Sequence, residues 1–183
     1  MKNAYLTYSA LWALFVIPTQ QSHSQRSNFS VGVIPSYKTD GYGINVNLNH
    51  YHSTTDYFHA SFIATFSKQK PNSGVEFPYD DYLFNMGYFT TVLTSPNRGF
   101  FIFFGGGPSV GYEYINNGET DFPFDAIIAE SGFIYGGFAS FEMDFFLTQS
   151  LSLITPINGF YHFNSDFNNS MLLLGVGIRY YLK

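Results

Sequence analysis

Three histidines close to one turn are the first residues of this sequence whose type and spacing could do chemistry. His50, His52 and His59 could form a metal site, because neutral imidazole is a common metal ligand. Apolar residues alternate with polar ones on both sides of the turn, near 42–51 and 58–67. If both apolar faces lie on one side of a sheet, His50 points outward, His59 points inward and His52 falls in the turn. The alternation therefore argues against a shared metal ion, and we predict no metal site.

The glycine run Gly105-Gly106-Gly107-Pro108 could be read as a phosphate-binding loop. Such a loop needs a helix N-terminus directly after the glycines and usually a lysine, and the sequence offers neither. Glycine within a strand lets a sheet bend or lets neighbouring side chains pack closely. We therefore predict a structural role for this run and no bound cofactor.

The elements that must position these residues are strands, because the apolar residues recur with a period of two. The pattern predicts eight strands near 28–36, 42–51, 58–67, 82–94, 99–114, 133–146, 150–163 and 170–182. The second, fourth and sixth links are short, whereas the two longest links, about 68–81 and 115–132, lie among the other four. Short periplasmic turns with longer outer loops are typical of outer-membrane barrels. We therefore predict an all-β fold, a closed eight-stranded antiparallel outer-membrane-type β-barrel, with a soluble exported sandwich as the alternative.

The composition favours the same class of protein. Aromatic residues make up 21% of the chain, charged residues only 11%, and cysteine is absent. A barrel in a bilayer needs an apolar outer wall, whereas a soluble domain has about 25% charged residues. The net charge of −5 argues against nucleic acid as a direct partner. The expected surroundings are therefore outer-membrane lipid.

The N-terminus has the features of a secretory signal peptide. Lys2 precedes an apolar run, Ala10 to Ile17, and Ser22-His23-Ser24 offers small residues for cleavage. The run is too short for the roughly twenty residues that a membrane-spanning helix needs. We expect residues 1–25 to be removed on export and residues 26–183 to form a single barrel domain in the outer membrane.

Acidic residues concentrate in the two long predicted loops. Solvation of exposed loops explains this most simply, and contact with divalent ions or lipopolysaccharide is the alternative. The spacing is irregular, so no metal is assigned. The residues concerned are Glu76, Asp80, Asp81, Glu119, Asp121, Asp125 and Glu130.

Four charged residues share the lumenal side of their predicted strands: Glu113, Glu142, Asp144 and Arg179. The last three lie near the periplasmic end, so we predict that Arg179 pairs with Glu142 or Asp144 across the interior. Eight strands leave a lumen just wide enough for side chains to fill. The pair is therefore expected to pack the barrel and not to act as an acid–base couple.

His162 and Ser165 raise the possibility of a lipid-modifying enzyme, since lipid A deacylases are small barrels with a lipid-facing His-x-Ser-Asn. Here the serine is three positions from the histidine, an offset that places two strand side chains on opposite faces. His162 also shares the lumenal parity of Asn158. We therefore expect no catalytic residues and predict that the protein is not an enzyme.

Aromatic residues near strand ends suggest girdles at the two membrane interfaces. The predicted girdle residues are Tyr88 and Phe89, Tyr112 and Tyr114, and Tyr180 and Tyr181.

From Asn97 onward the sequence resembles the TraO family of conjugative-transposon transfer proteins. The stretches that carry the resemblance are Gly99 to Phe104, Gly105 to Glu113, Gly132 to Gly137 with Phe141-Glu142, and Leu174 to Gly177. The resemblance implies a small outer-membrane component of a type IV-like conjugation system, with other conjugal transfer proteins as partners. It implies no enzymatic residues. A generic structural or adhesion barrel is the alternative function.

Overall fold

The computed structural model describes residues 28–53, 55–69, 77–116, 131–165 and 169–182. The predicted signal peptide, 1–25, lies outside these residues, as do five of the acidic loop residues: Glu76, Glu119, Asp121, Asp125 and Glu130. In the part of the chain that is described, no helix is long and apolar enough to span a membrane.

Every described element is a strand, and every pairing is antiparallel. The last two segments are halves of one strand interrupted at Val176, since both pair with the first strand and with the seventh. The eight predicted strands are thus confirmed, with a break in the eighth. The bounds are β1 Phe29–Lys38, β2 Gly41–Tyr51, β3 Asp56–Gln69, β4 Phe77–Thr94, β5 Phe100–Ile115, β6 Gly132–Phe146, β7 Leu151–His162, β8 Ser170–Gly175 and β9 Gly177–Leu182.

The sheet closes on itself, because β1 pairs with β2 on one side and with β8 and β9 on the other. The register can be followed once around the ring, from Leu182 to Phe29, His50, Phe58, Tyr88, Gly106, Ala139, Gly159 and Leu172. The path returns to the starting strand ten residues away, from Leu182 to Leu172. This stagger across eight strands corresponds to a strand tilt of about 40°.

The barrel has apolar residues outside and polar residues inside. Outward-facing side chains such as Val33, Phe62 and Leu172 are about half exposed, at 50%, 51% and 53%. Inward-facing side chains such as Asn49 and Arg179 are completely buried. A wall of this kind places its exposed apolar side chains against lipid, as the period of two predicted.

Large side chains fill much of the lumen beside its polar groups. Tyr57 stacks on Phe89 with ring centroids 4.9 Å apart, and Phe138 stacks on Phe160 at 5.8 Å. Together with Leu173 they belong to one buried cluster inside the ring. Eight strands enclose little more than the volume of their own side chains, so the interior is a packed core.

Two of the predicted outer links differ from their expected lengths. β3 continues to Gln69 and β4 begins at Phe77, so the link predicted at 68–81 is reduced to residues 70–76. Asp80 and Asp81 are therefore in a strand, not in a loop, and Asp81 is buried. β1 and β2 are joined by Thr39 and Asp40 alone, because their pairing continues to Lys38↔Gly41.

The girdle prediction requires outward-facing rings, and Tyr88 and Tyr180 do face outward with 43% and 47% exposure. It is wrong for their neighbours Phe89 and Tyr181, which are buried in the lumen. Adjacent strand residues point to opposite faces, so such a pair cannot contribute two rings to one girdle. Tyr114, 37% exposed, lies on the outer wall as predicted.

Candidate functional site

One buried charged cluster surrounds Arg179 in the periplasmic half of the lumen. Its guanidinium contacts Glu142 through two nitrogens, with Nη1 2.7 Å from Oε1 and Nη2 2.8 Å from Oε2. Nη1 also donates to Asp144 Oδ2 at 3.1 Å. All three side chains are at most 2% exposed. The predicted pairing of Arg179 is confirmed, and it involves both carboxylates.

Tyrosine hydroxyls donate to the same carboxylate oxygens that Arg179 contacts in this site. Tyr57 donates to Glu142 Oε1 at 3.0 Å, and Tyr181 donates to Asp144 Oδ2 at 2.7 Å. The ring of Tyr57 also faces the guanidinium carbon of Arg179 at 5.5 Å. Aromatic hydroxyls and a ring face thus replace water around a buried ion cluster, as a polar group in a dry interior requires.

Asn49 links this cluster to His59. The amide orientation that satisfies both neighbours places its oxygen 3.2 Å from Arg179 Nε and its nitrogen 2.7 Å from His59 Nδ1. His59 is buried in the lumen, as predicted. The imidazole therefore serves as an acceptor within a hydrogen-bonded network that extends from β3 to β9.

The register explains how Arg179 reaches carboxylates that are two strands away. β7 lies between β6 and β9 and presents Ser152 directly opposite Arg179. Ser152 is small and buried, so the long arginine side chain can pass over it. Glu142 and Asp144 are two residues apart on β6 and so project into the same lumen.

A second charged cluster lies at the outer end of the lumen. Lys38 Nζ donates to Ser67 Oγ at 2.9 Å, to Tyr79 Oη at 2.8 Å and to Asp81 Oδ2 at 3.3 Å. Tyr79 donates to Asp40, whose carboxylate is also 3.7 Å from Lys38. The sequence does not predict this cluster, because the predicted strands on either side end at residue 36 and begin at residue 82. If the alternation of the first strand is extended two residues beyond Ser36, Lys38 also points inward.

Ser165 and His162 both face the lumen, which corrects one prediction. His162 is 3% exposed, as its predicted lumenal parity requires, and Ser165 Oγ donates to Glu113 Oε2 at 2.8 Å inside the barrel. The expected opposite orientation of Ser165 is wrong because β7 ends at His162, after which strand alternation no longer applies. Glu113 faces inward, as predicted.

The other two histidines point away from His59. His50 is exposed on the outer wall, where its ring lies 4.6 Å from that of Phe29, and His52 is exposed in the turn after β2. Both orientations agree with the prediction. Across the described ranges, no three His, Cys, Asp or Glu side chains are grouped closely enough to hold a metal ion.

The glycine run lies within β5 and serves packing. A Cβ on Gly105 would be 2.4 Å from Cγ of Phe89, since that ring lies across the glycine inside the lumen. Glycine is required here because the neighbouring ring and the main chain approach too closely for any side chain.

The fold is shared with solved outer-membrane proteins. Neisserial surface protein A is 11% identical with a TM-score of 0.61, and the alignment covers 85% of this chain and 98% of that one. OprG from Pseudomonas aeruginosa is 8% identical with a TM-score of 0.60, covering 88% and 99%. The N-terminal barrel domain of OprF from the same organism is 8% identical with a TM-score of 0.56, covering 86% and 100%.

These similarities establish the outer-membrane β-barrel fold, and the predicted location in the outer membrane agrees with it. A comparison with curated protein sequences finds no match. The family model described as conjugative transposon protein TraO matches residues 17–182, which is nearly the whole sequence. The resemblance noted in the second half of the sequence therefore extends through the first half, and the chain belongs to the TraO family of conjugative transposon proteins.

Proposed function

We propose that this protein is a non-enzymatic outer-membrane component of a conjugative DNA-transfer apparatus, in which it anchors or organises other transfer proteins. The observation that carries the proposal is the family match over residues 17–182. The apolar outer wall supports the membrane part of the role, because it provides stable insertion into lipid without a helix.

The packed lumen supports an organising role over that of a conduit. Arg179, Glu142 and Asp144 occupy the periplasmic half, and Lys38 with Asp81 occupies the outer end. A ring of eight strands has no room for DNA or a folded protein beside these side chains. Contacts with the transfer machinery would therefore involve the turns, loops and outer wall. The net charge of −5 also disfavours direct binding of DNA.

The placement of the polar residues supports a role without catalysis. A lipid-modifying enzyme would need a nucleophile and a base converging on the outer wall, where lipid is accessible. His162 and Ser165 face the interior instead, and Glu113 is held by Ser165 there. The carboxylates near Arg179 are likewise enclosed by tyrosines.

A generic surface barrel with structural or adhesive function is the second candidate. It is favoured by the similarity to Neisserial surface protein A, whose name places it at a cell surface. Such a barrel would have the same fold but no partners in the transfer machinery. Deletion of the gene would therefore reduce conjugation in the first role and leave it unchanged in the second.

The deciding experiment is the conjugation frequency of a donor from which this reading frame has been deleted in frame. We expect a loss of several orders of magnitude, with full recovery on supply of the intact gene. The control donor expresses an unrelated eight-stranded barrel at a matched level. An unchanged frequency after deletion would reject the transfer role and favour the surface barrel.

A further inference from the structure

The C-terminal strand is interrupted in the middle of the barrel wall, where two prolines lie beside it. The register places Pro35 of β1 opposite Val176, between the pairs Val33↔Ile178 and Ser36↔Gly175. On the other side it places Pro156 of β7 opposite Gly175, between Ile154↔Gly177 and Ile157↔Leu174. Proline in a closed sheet removes a ladder hydrogen bond because it has no N–H.

The directions of the backbone bonds show which ones are lost. Val176 N–H donates to Pro35 O at 3.2 Å, so the backbone of Val176 faces β1. Tyr181 N–H donates to Ser150 O on the opposite side, so the odd-numbered residues of this strand, Gly175 included, face β7. Pro35 cannot donate to the carbonyl of Val176, and Pro156 cannot donate to that of Gly175. Two successive carbonyls thus lose their ladder donors, one on each side.

On the outer side of this break, which we call above it, β8 is held to β1 by a very short pairing. In the described chain, β8 pairs with β1 only at Ser36↔Gly175 and Tyr37↔Leu174. β1 turns into β2 after Lys38, so the pairing ends there. Below the break, β9 pairs with β1 from Phe29↔Leu182 to Val33↔Ile178. The two halves of the same junction therefore differ strongly in the length of their ladder.

A third proline within the wall shows what makes this junction different. Pro108 of β5 interrupts the pairing with β4 between Asn85↔Ser109 and Tyr88↔Gly106. Long paired stretches remain on both sides of that interruption, from Tyr79↔Ile115 to Asn85↔Ser109 on the outer side and from Tyr88↔Gly106 to Thr94↔Phe101 on the periplasmic side. At the junction with β1, the interruption at Val176 has a long pairing on its periplasmic side only.

We propose that the outer half of the β1–β8 junction is a seam that opens locally while the rest of the barrel stays closed, with Val176 as the hinge. Local opening occurs where few ladder bonds must break at once. An open seam presents unpaired strand edges, the kind of surface to which a partner strand can add. This inference is independent of the role in conjugation.

The first test is amide hydrogen exchange of the full barrel in lipid nanodiscs. Tyr37 and Leu174 form an outward-facing pair above the break, and Val31 and Tyr180 form a matched outward-facing pair of the same two strands below it. We expect the amides of Tyr37 and Leu174 to exchange at least about tenfold faster. Leu174 is nearer than Tyr180 to the middle of the C-terminal strand, Ser170 to Leu182, so fraying from the ends of that strand alone would give the opposite order for these two amides. Equal or slower exchange above the break would overturn the proposal.

The second test restores the missing donors with the double variant Pro35→Val and Pro156→Val. Valine fits a strand and supplies an N–H at each position, so exchange at Leu174 should slow by about tenfold while that of Tyr180 stays unchanged. Unchanged exchange at Leu174 in a folded variant would contradict the hinge.

A cross-link provides a check that does not depend on the folding of the double variant. The chain contains no cysteine, so Tyr37→Cys with Leu174→Cys gives a single disulfide across the seam. Val31→Cys with Tyr180→Cys is the matched control below the break. We expect the upper disulfide, and not the lower one, to suppress exchange at Val176. An equal effect of both disulfides would overturn the hinge assignment.

Discussion

At the scale of single residues, the charges in the barrel interior share partners. Arg179 is one cation between two carboxylates, and Lys38 has a similar position between Asp81 and Asp40. Buried charges persist only where paired and hydrogen-bonded groups replace water. Removing the shared cation therefore affects every carboxylate of its cluster at once.

Arg179→Ala should destabilise the folded barrel by about 3–5 kcal/mol, because Glu142 and Asp144 would remain buried without a counter-ion. Urea unfolding in lipid vesicles measures the change. As a control, Arg179→Met combined with Glu142→Gln and Asp144→Asn removes all three charges and should recover much of the loss. A single variant as stable as the wild type would show that the cluster does not hold the barrel together.

Lys38→Met should reduce the free energy of unfolding by about 1–3 kcal/mol, since Ser67, Tyr79 and Asp81 lose a shared donor. Lys68→Met is the matched control, because Lys68 is an exposed residue of β3. The same urea titration should place Lys68→Met within error of the wild type. Equal effects of the two substitutions would contradict the assignment of Lys38 to a structural cluster.

At the scale of the strands, glycines determine how closely neighbouring side chains and backbones approach. Gly105 on β5 lies under the ring of Phe89 on β4, so the lumenal aromatic layer depends on a position without a side chain. Gly159 on β7 has open space where a Cβ would be. The two glycines therefore play different parts, although both lie in the interior of a strand.

Gly105→Ala should cost about 1–3 kcal/mol, because the new methyl group overlaps the ring of Phe89. Gly159→Ala is the control and should be neutral or slightly stabilising, since nothing lies within 4 Å of its added Cβ. Thermal unfolding of the two variants in detergent provides the comparison. Similar melting temperatures for both would argue against a packing role for Gly105.

At the scale of the whole molecule, the closed ring and its filled lumen leave the surface as the part available for function. Charged clusters in the periplasmic half and at the outer end of the interior are packed together with buried aromatic rings such as Phe89, Phe103 and Phe138. The family match then indicates in which process such a surface is used.

The purified protein should not form a stable ion channel in planar lipid bilayers. The lumen of an eight-stranded barrel is filled by its own side chains, so current traces should match those of protein-free membranes in 1 M salt. The triple variant Phe89→Ala, Phe103→Ala and Phe138→Ala is the informative comparison, because it removes three large rings from the packed interior. Steady open-channel currents from the wild-type protein would contradict a sealed lumen.

The sequence by itself determined the fold class, the inward or outward direction of most strand residues and the pairing of Arg179. Alternation has a period of two, so one apolar face determines the direction of every other side chain in a strand. A lumen that is only as wide as its side chains then leaves a buried arginine few partners other than Glu142 and Asp144.

Only the tertiary structure decided where the strands end and in which direction the side chains near those ends point. Lys38 and Asp81 lie just beyond the predicted strands, and Ser165 follows the end of β7, where alternation no longer applies. Strand length depends on the stagger between neighbours, which is a property of the closed ring and not of any local segment. For the same reason the prolines on both sides of Val176 could be recognised as one break only once the register had placed three separate strands side by side.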